Sequence, residues 1–250
     1  MNATDTASRR DWRNVAVLAT CQMFYNSGRS LLVATSPLIA YEIAPDKALS
    51  TVPISLAVIG TAAASIPASM LMQRIGRGPG FAAGSAIGVV GGLACIWGIY
   101  VEDFLTFCLG ALLFGLFSGF AQLYRFAAAD VASTAFKARA ISLVLTGGLV
   151  AAFVGPELAK AGHTMVPDKP FMASYMFLVA LTVMSGLVVM AVDIPKLTPA
   201  EKQAGGRRIG EIMRQPVFIV ATLCAMIGQA VMNLLMTSTP LAMLTGVAKS

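Results

Sequence analysis

A polar stripe crosses the first long apolar stretch of this sequence. Within residues 15–41, Arg29 is preceded by Gln22, Tyr25 and Asn26, at distances of seven, four and three residues. On a helix these spacings place all four side chains on one face. Arginine offers a permanent charge and five N–H donors, a chemistry suited to an anionic or carboxylate-bearing ligand. Arg29 is the fifteenth of the 27 residues in the stretch, near the midplane of any membrane the stretch crosses. A charge placed there costs about 2.5–3.5 kcal/mol on insertion scales and normally faces a bundle interior or a water-filled cavity. Snorkelling is no escape, because either interface is about 20 Å away at about 1.5 Å of rise per residue. Two readings fit Arg29. It attracts an anionic solute in a central cavity, or it holds helices together through an internal ion pair or bonds to carbonyls. The stripe likewise reads as cavity lining or as interhelical hydrogen bonding.

The elements that position this stripe follow from composition. The chain has 250 residues, 57% hydrophobic and 12% charged. Soluble proteins carry about 25% charged residues, so a soluble globule, a disordered chain, a coiled coil and a disulfide scaffold are all excluded. A membrane-spanning helix needs about 20 residues, and six runs free of Asp, Glu, Lys and Arg each support one, the shortest extended by its flanks. A further span is interrupted only by Arg29, which makes seven, at 15–41, 51–72, 80–101, 104–126, 138–160, 171–192 and 216–240. Barrel strands would be about 10 residues long and alternating, unlike these Ala-, Gly-, Leu- and Val-rich runs. The expected class is an all-α polytopic membrane protein.

Charge also sets the orientation. Thirteen of the 18 basic residues fall on one side of the predicted spans, among them Arg13, Arg74, Arg77, Arg139 and Arg208, whereas Lys47, Lys160 and Lys169 face the other. Basic loops stay cytoplasmic, so residues 1–14 and the segment 193–215 are expected in the cytoplasm of a multi-pass cell-membrane protein. This bias accounts for the net charge of +6 without nucleic acid as a partner. The first span is too long for a cleavable signal peptide. Cys21, Cys95, Cys108 and Cys224 lie singly within spans, and His163 is the one histidine, so no metal or redox centre and no cofactor is predicted. Gly84, Gly88 and Gly92, and again Gly115 and Gly119, have the GxxxG spacing of close helix packing.

The segment Ala68–Pro79 carries Arg74, Gly76 and Arg77 in the positions of the loop motif G-x-L-x-D-R-x-G-R-[RK]. Gln73 replaces the acidic residue of that motif and Gly78 its last basic one. Asp130, followed by Lys137-Ala-Arg139, looks like the same family's entry to its fifth helix, and Gly147-Gly148 with Gly155-Pro156 like its antiporter motif. The sequence thus resembles the major facilitator superfamily. That resemblance implies a six-helix bundle over 15–192, a cytoplasmic linker over 193–215 and the first helix of a second bundle over 216–250. It implies secondary transport of a small solute by alternating access, with Arg77 and Asp130 forming a cytoplasmic latch of the outward-open state. Arg74, Gly76, Arg139, Gly155 and Pro156 are the other candidate gating residues. Gln22 and Asn26 recur as Gln229 and Asn233 at an offset of 207, so these two are expected to line the cavity from the second half. Family members have two such halves, so the chain reads as an amino-terminal half plus a seventh helix, and a truncated, non-transporting fragment is the alternative reading.

Proton coupling calls for a carboxyl group at membrane depth, and no predicted span holds one near its middle. Glu157, beside Pro156 towards the outer end, is the nearest candidate, with protons as the candidate coupling ion. A membrane-embedded enzyme would need paired acids, a histidine cluster or a nucleophile with its base, and none is apparent. The solute is expected to be an anionic metabolite or a drug-like compound.

Overall fold

The computed structural model describes residues 9–132, 136–166, 169, 171–190 and 215–247, which are almost entirely helical. Helix α1 spans Arg9–Ile43, α2 Val52–Ile75, α3 Arg77–Val101 and α4 Phe104–Ala121. They are followed by α5 (Tyr124–Val131), α6 (Lys137–Met165), α7 (Met172–Val189) and α8 (Pro216–Val247), and a 3-10 turn at Lys47–Thr51 precedes α2. Two compact units divide the chain, Met1–Lys196 with α1–α7 and Leu197–Ser250 with α8. Of the expected cytoplasmic segments, residues 1–8 and 193–214 lie outside the described residues.

Among the described residues, five helical segments are long and apolar enough to cross a membrane: Lys47–Ile75, Arg77–Val101, Phe104–Val131, Lys137–His163 and Met172–Val189. Helix α1 is not among them, because Gln22, Asn26 and Arg29 interrupt its apolar run, although its 35 residues are ample in length. It is also already helical at Arg9, six residues before the start expected from hydropathy, because a helix continues into the polar interface. The fourth span differs as well. Expected as one run over 104–126, it breaks after Ala121 and resumes as α5 through Val131. At the break, Gln122 N donates to Ser118 O at 3.1 Å and Leu123 N to Phe120 O at 3.0 Å, a local tightening of the turn.

In the first unit α4 packs against both α2 and α3, α1 packs against both α6 and α7, and the α3–α7 contact joins the two triplets. Small residues make these approaches possible in a solvent where burial drives little. A Cβ on Gly115 would lie 2.2 Å from the Ala57 carbonyl oxygen, and one on Gly119 2.6 Å from Ala64 Cβ, so α4 meets α2 backbone to backbone. The α3 glycines Gly84 and Gly88 receive the rings of Phe120 and Phe117. Aromatic pairs fill the interior, Phe114 against Phe117 at 5.6 Å between centroids and Phe107 against Tyr175 at 5.5 Å. Leu105, Phe153 and Leu187 project outward, as expected of side chains that meet lipid.

Outside the spans, charge fastens the loops. Asp103 caps α4 by accepting from Thr106 N at 2.9 Å, and the bonds from Thr106 hold its carboxyl below the usual carboxylate range. Lys169 donates to Glu102, and that hydrogen bond with its charge likewise lowers the Glu102 carboxyl. The energetics of the bundle are set by the seams. Gly115→Ala should lower stability by about 1–3 kcal/mol through overpacking, read as a reduced thermal midpoint in detergent; an unchanged midpoint would contradict the α2–α4 packing.

Candidate substrate face and cytoplasmic latch

Successive residues of an α-helix turn by about 100°, so contacts on either side locate the face between them. On one side of α1, Tyr25 meets Phe117 of α4 edge-on, with centroids 5.7 Å apart, and Gly28 lies against Phe114 and Leu178. Cys21 Sγ donates to Ser185 O of α7 at 3.6 Å on this side too. On the other side, Ala19 faces Gly147 of α6, Asn26 faces Gly148, and Ser27 with Ser30 faces Gly155. Gln22 and Arg29 fall between Tyr25 and Asn26 on the helical wheel, so they occupy the strip between the α4 and α6 contacts.

The strip has an uneven polar balance. Gln22 is buried, 8% exposed, and its Oε1 has no hydrogen-bond partner. Asn26 and Arg29 are partly exposed. Arg29 forms no ion pair and no hydrogen bond among the described residues, and no described acidic residue lies within the middle of any span. The internal ion pair considered for Arg29 is therefore not formed among the described residues. Tyr25 departs from the other three. It is 2% exposed, turned into the bundle beside Phe117, and its hydroxyl is unpartnered. Of the four stripe residues, the structure thus keeps three together on the strip and sends one into the core.

A second feature lies at one end of the bundle. Gly76 ends α2 with φ +96°, a left-handed conformation that favours glycine, and its N donates to Met72 O at 3.0 Å. The sharp turn makes Arg77 the first residue of α3, where it forms an ion pair and hydrogen bond with Asp130 near the end of α5. Two contacts place α5: the Tyr124 ring lies 4.6 Å from that of Phe81, and its hydroxyl is hydrogen-bonded to Ser185 Oγ at 3.1 Å. Sequence reasoning missed Tyr124 as the anchor, since an aromatic residue near a helix end reads as an interfacial side chain. Arg74 and Arg139 are exposed and form no ion pair among the described residues.

The remaining candidates are dispersed. Pro156 sits within α6, which continues through it, and Gly155 closes on Ser30. Glu157 is exposed and accepts from Lys160 Nζ at 2.7 Å. His163 stacks edge-on with Phe171 at 4.6 Å. Gln229 belongs to α8 in the second unit, as does Asn233, whose side chain lies outside the described residues.

Long apolar helices, glycine seams and an outward apolar surface define a multi-pass α-helical membrane protein built around a six-span bundle. The chain belongs to the Major Facilitator Superfamily, whose family model matches residues 18–248. It is 36% identical to the riboflavin transporter RfnT of Brucella anthropi, over 96% of this chain and 60% of that protein. It is 24% identical to YddS, an uncharacterized MFS-type transporter of Bacillus subtilis, over 92% of this chain and 56% of that one. The chain therefore spans little more than half the length of these relatives. Among solved structures, a variant of the E. coli fucose:proton symporter FucP shares the fold, with a TM-score of 0.61 at 16% identity over 83% of this chain and 57% of that one.

Arg77 and Asp130 are 23% and 45% exposed, so solvent screens their attraction. A double-mutant cycle with Arg77→Gln and Asp130→Asn should give a coupling of at most about 1 kcal/mol in detergent unfolding, smaller still in high salt. A coupling of several kcal/mol that resists salt would contradict this geometry.

Proposed function

We propose that the protein carries a small solute across the cell membrane by alternating access, with Gln22, Asn26 and Arg29 as the solute-binding contribution of this bundle. One observation supports this above the rest: Arg29 stands in the middle part of α1, partly exposed, with no partner of its own among the described residues. A charge held at that depth without an internal counter-charge is costly, and a solute that accepts its hydrogen bonds offsets the cost. Similarity to a riboflavin transporter makes riboflavin the first solute to test. Its ring carbonyls and ribityl hydroxyls suit arginine and amide partners, and anionic metabolites are the next class. Gln229 and Asn233 are the corresponding solute-binding candidates of the second unit in this reading.

The Arg77–Asp130 pair acts as the cytoplasmic latch of the outward-open state, flanked by Arg74, Gly76 and Arg139, while Gly155 and Pro156 let α6 bend. Opening to the cytoplasm then requires the pair to part, a small cost for a partly exposed ion pair. The excess of basic residues in alternate loops supports a cytoplasmic N-terminus and linker. Protons are the proposed coupling ion, and Glu157, the carboxyl of this half that falls nearest to membrane depth among the described residues, is their candidate carrier.

Riboflavin transport by cells expressing the protein tests the reading. Removing a hydrogen bond to a charged group costs about 1.5–3 kcal/mol, so Arg29→Ala should slow transport roughly 10- to 150-fold. Arg29→Lys should fall between, because it keeps the charge and loses the planar fork. Undiminished transport by Arg29→Ala at normal membrane levels would sink the assignment.

A further inference from the structure

Helix α6 presents three glycines to α1, and they are not equivalent. A Cβ on Gly147 would sit 2.6 Å from the Ala19 carbonyl oxygen. On Gly155 it would sit 2.6 Å from Ser30 Cβ and 3.0 Å from the Ser27 carbonyl oxygen. Both are seam positions, where backbones meet because no side chain intervenes. A Cβ on Gly148 would meet Asn26 alone, its Nδ2 at 3.0 Å and its Cγ at 4.0 Å, with no other packing neighbour within 4 Å. Gly148, like Gly147, is partly exposed, and what sets it apart is that no backbone atom of α1 lies against it. The missing side chain there does not let helices close; it leaves room beside a residue of the strip.

A second observation gives that room a use. Gln22, one turn before Asn26, is more than nine-tenths buried and its Oε1 has no donor. Buried acceptors are seldom left unpaired, so a ligand that supplies the donor accounts for it. Arg29, three residues after Asn26, offers donors and lacks an acceptor among the described residues. Seven residues of helix separate the two, about 10 Å of rise.

We propose that Gly148 is a specificity-determining position: part of the solute occupies the space beside Asn26, and the size of residue 148 limits what the strip admits. The solute class carries an N–H or O–H donor for Gln22 at one end and a carbonyl-rich or anionic end for Arg29, about 10 Å apart. This rests on the strip being the solute-binding face.

Two measurements on the full chain test it, with riboflavin as the probe. In a Cys224→Ser background the other native cysteines are buried, so introduced thiols can be followed. Gly148→Cys should react with a water-soluble maleimide and be protected by riboflavin, while Gly147→Cys should stay unreactive. In transport, Gly148→Ala should raise KM for riboflavin about tenfold, the discrimination expected of one methyl group in a pocket. Its maximal rate and folded yield should stay near the parent's, whereas Gly147→Ala should lose folded yield. Asn26→Ser combined with Gly148→Ala should perform no worse than Asn26→Ser alone, since the shorter side chain clears the added methyl. An unreactive Gly148→Cys in folded protein overturns the proposal. So does an unchanged KM for Gly148→Ala, or a loss that tracks folded yield. A parent that moves no riboflavin removes riboflavin as the solute, and the labelling contrast still decides whether position 148 faces the water-filled path.

Discussion

Placing an arginine in the middle of a helix that crosses lipid imposes a constraint that much of this structure accommodates. The bilayer supplies neither water nor counter-charge, and the five apolar spans that accompany α1 hold no carboxylate at the depth of Arg29 among the described residues. Helix α1 therefore cannot depend on its own hydropathy for its place, and its neighbours supply it. Gly147 and Gly155 of α6 admit its backbone on one side. Phe114, Phe117 and Leu178 receive Tyr25 and Gly28 on the other. Held on both flanks, α1 keeps its polar strip in the gap between α4 and α6, with no partner for Arg29 among the described residues. Polar groups kept at such cost in membrane proteins are characteristically functional.

Around this helix the bundle is rigid where it packs and weakly tied where Arg77 meets Asp130. The seams between α2 and α4 and between α3 and α4 bring backbones into direct contact, and a packed interior resists gradual deformation. The Arg77–Asp130 pair is a partly exposed contact between two helix ends, cheap to break and quick to re-form. That division suits the alternating-access reading proposed above. The Tyr124 hydroxyl, bonded to Ser185, carries the rigidity of the core out to the short α5 helix that bears Asp130.

Much of this was legible in the sequence. Charge-free runs located the spans, and Arg29 stood out because a charge in such a run is rare. The spacing of Gln22, Asn26 and Arg29 placed them on one face. What stayed hidden depended on neighbours. Tyr25 shares that spacing, yet a rotation of some tens of degrees about the helix carries it into the core against Phe117, a difference that only the position of α4 decides. The break after Ala121 was invisible because the residues on both sides of it are apolar and helix-compatible. Gly147 and Gly148 are adjacent glycines, and only the location of α1 sets one against its backbone and the other against the Asn26 side chain.

In the function proposed above Arg29 is maintained for a ligand and not for the bundle, and the stability of an Arg29→Leu variant tests this most directly. If the arginine is unpaired, an apolar replacement removes a cost and breaks no bond. Unfolding in detergent should then show a midpoint equal to or above the parent's, while transport is lost. If Arg29 instead holds the helices together, removing one member of a buried pair should destabilise by about 3–5 kcal/mol. A midpoint depressed to that extent would contradict the account.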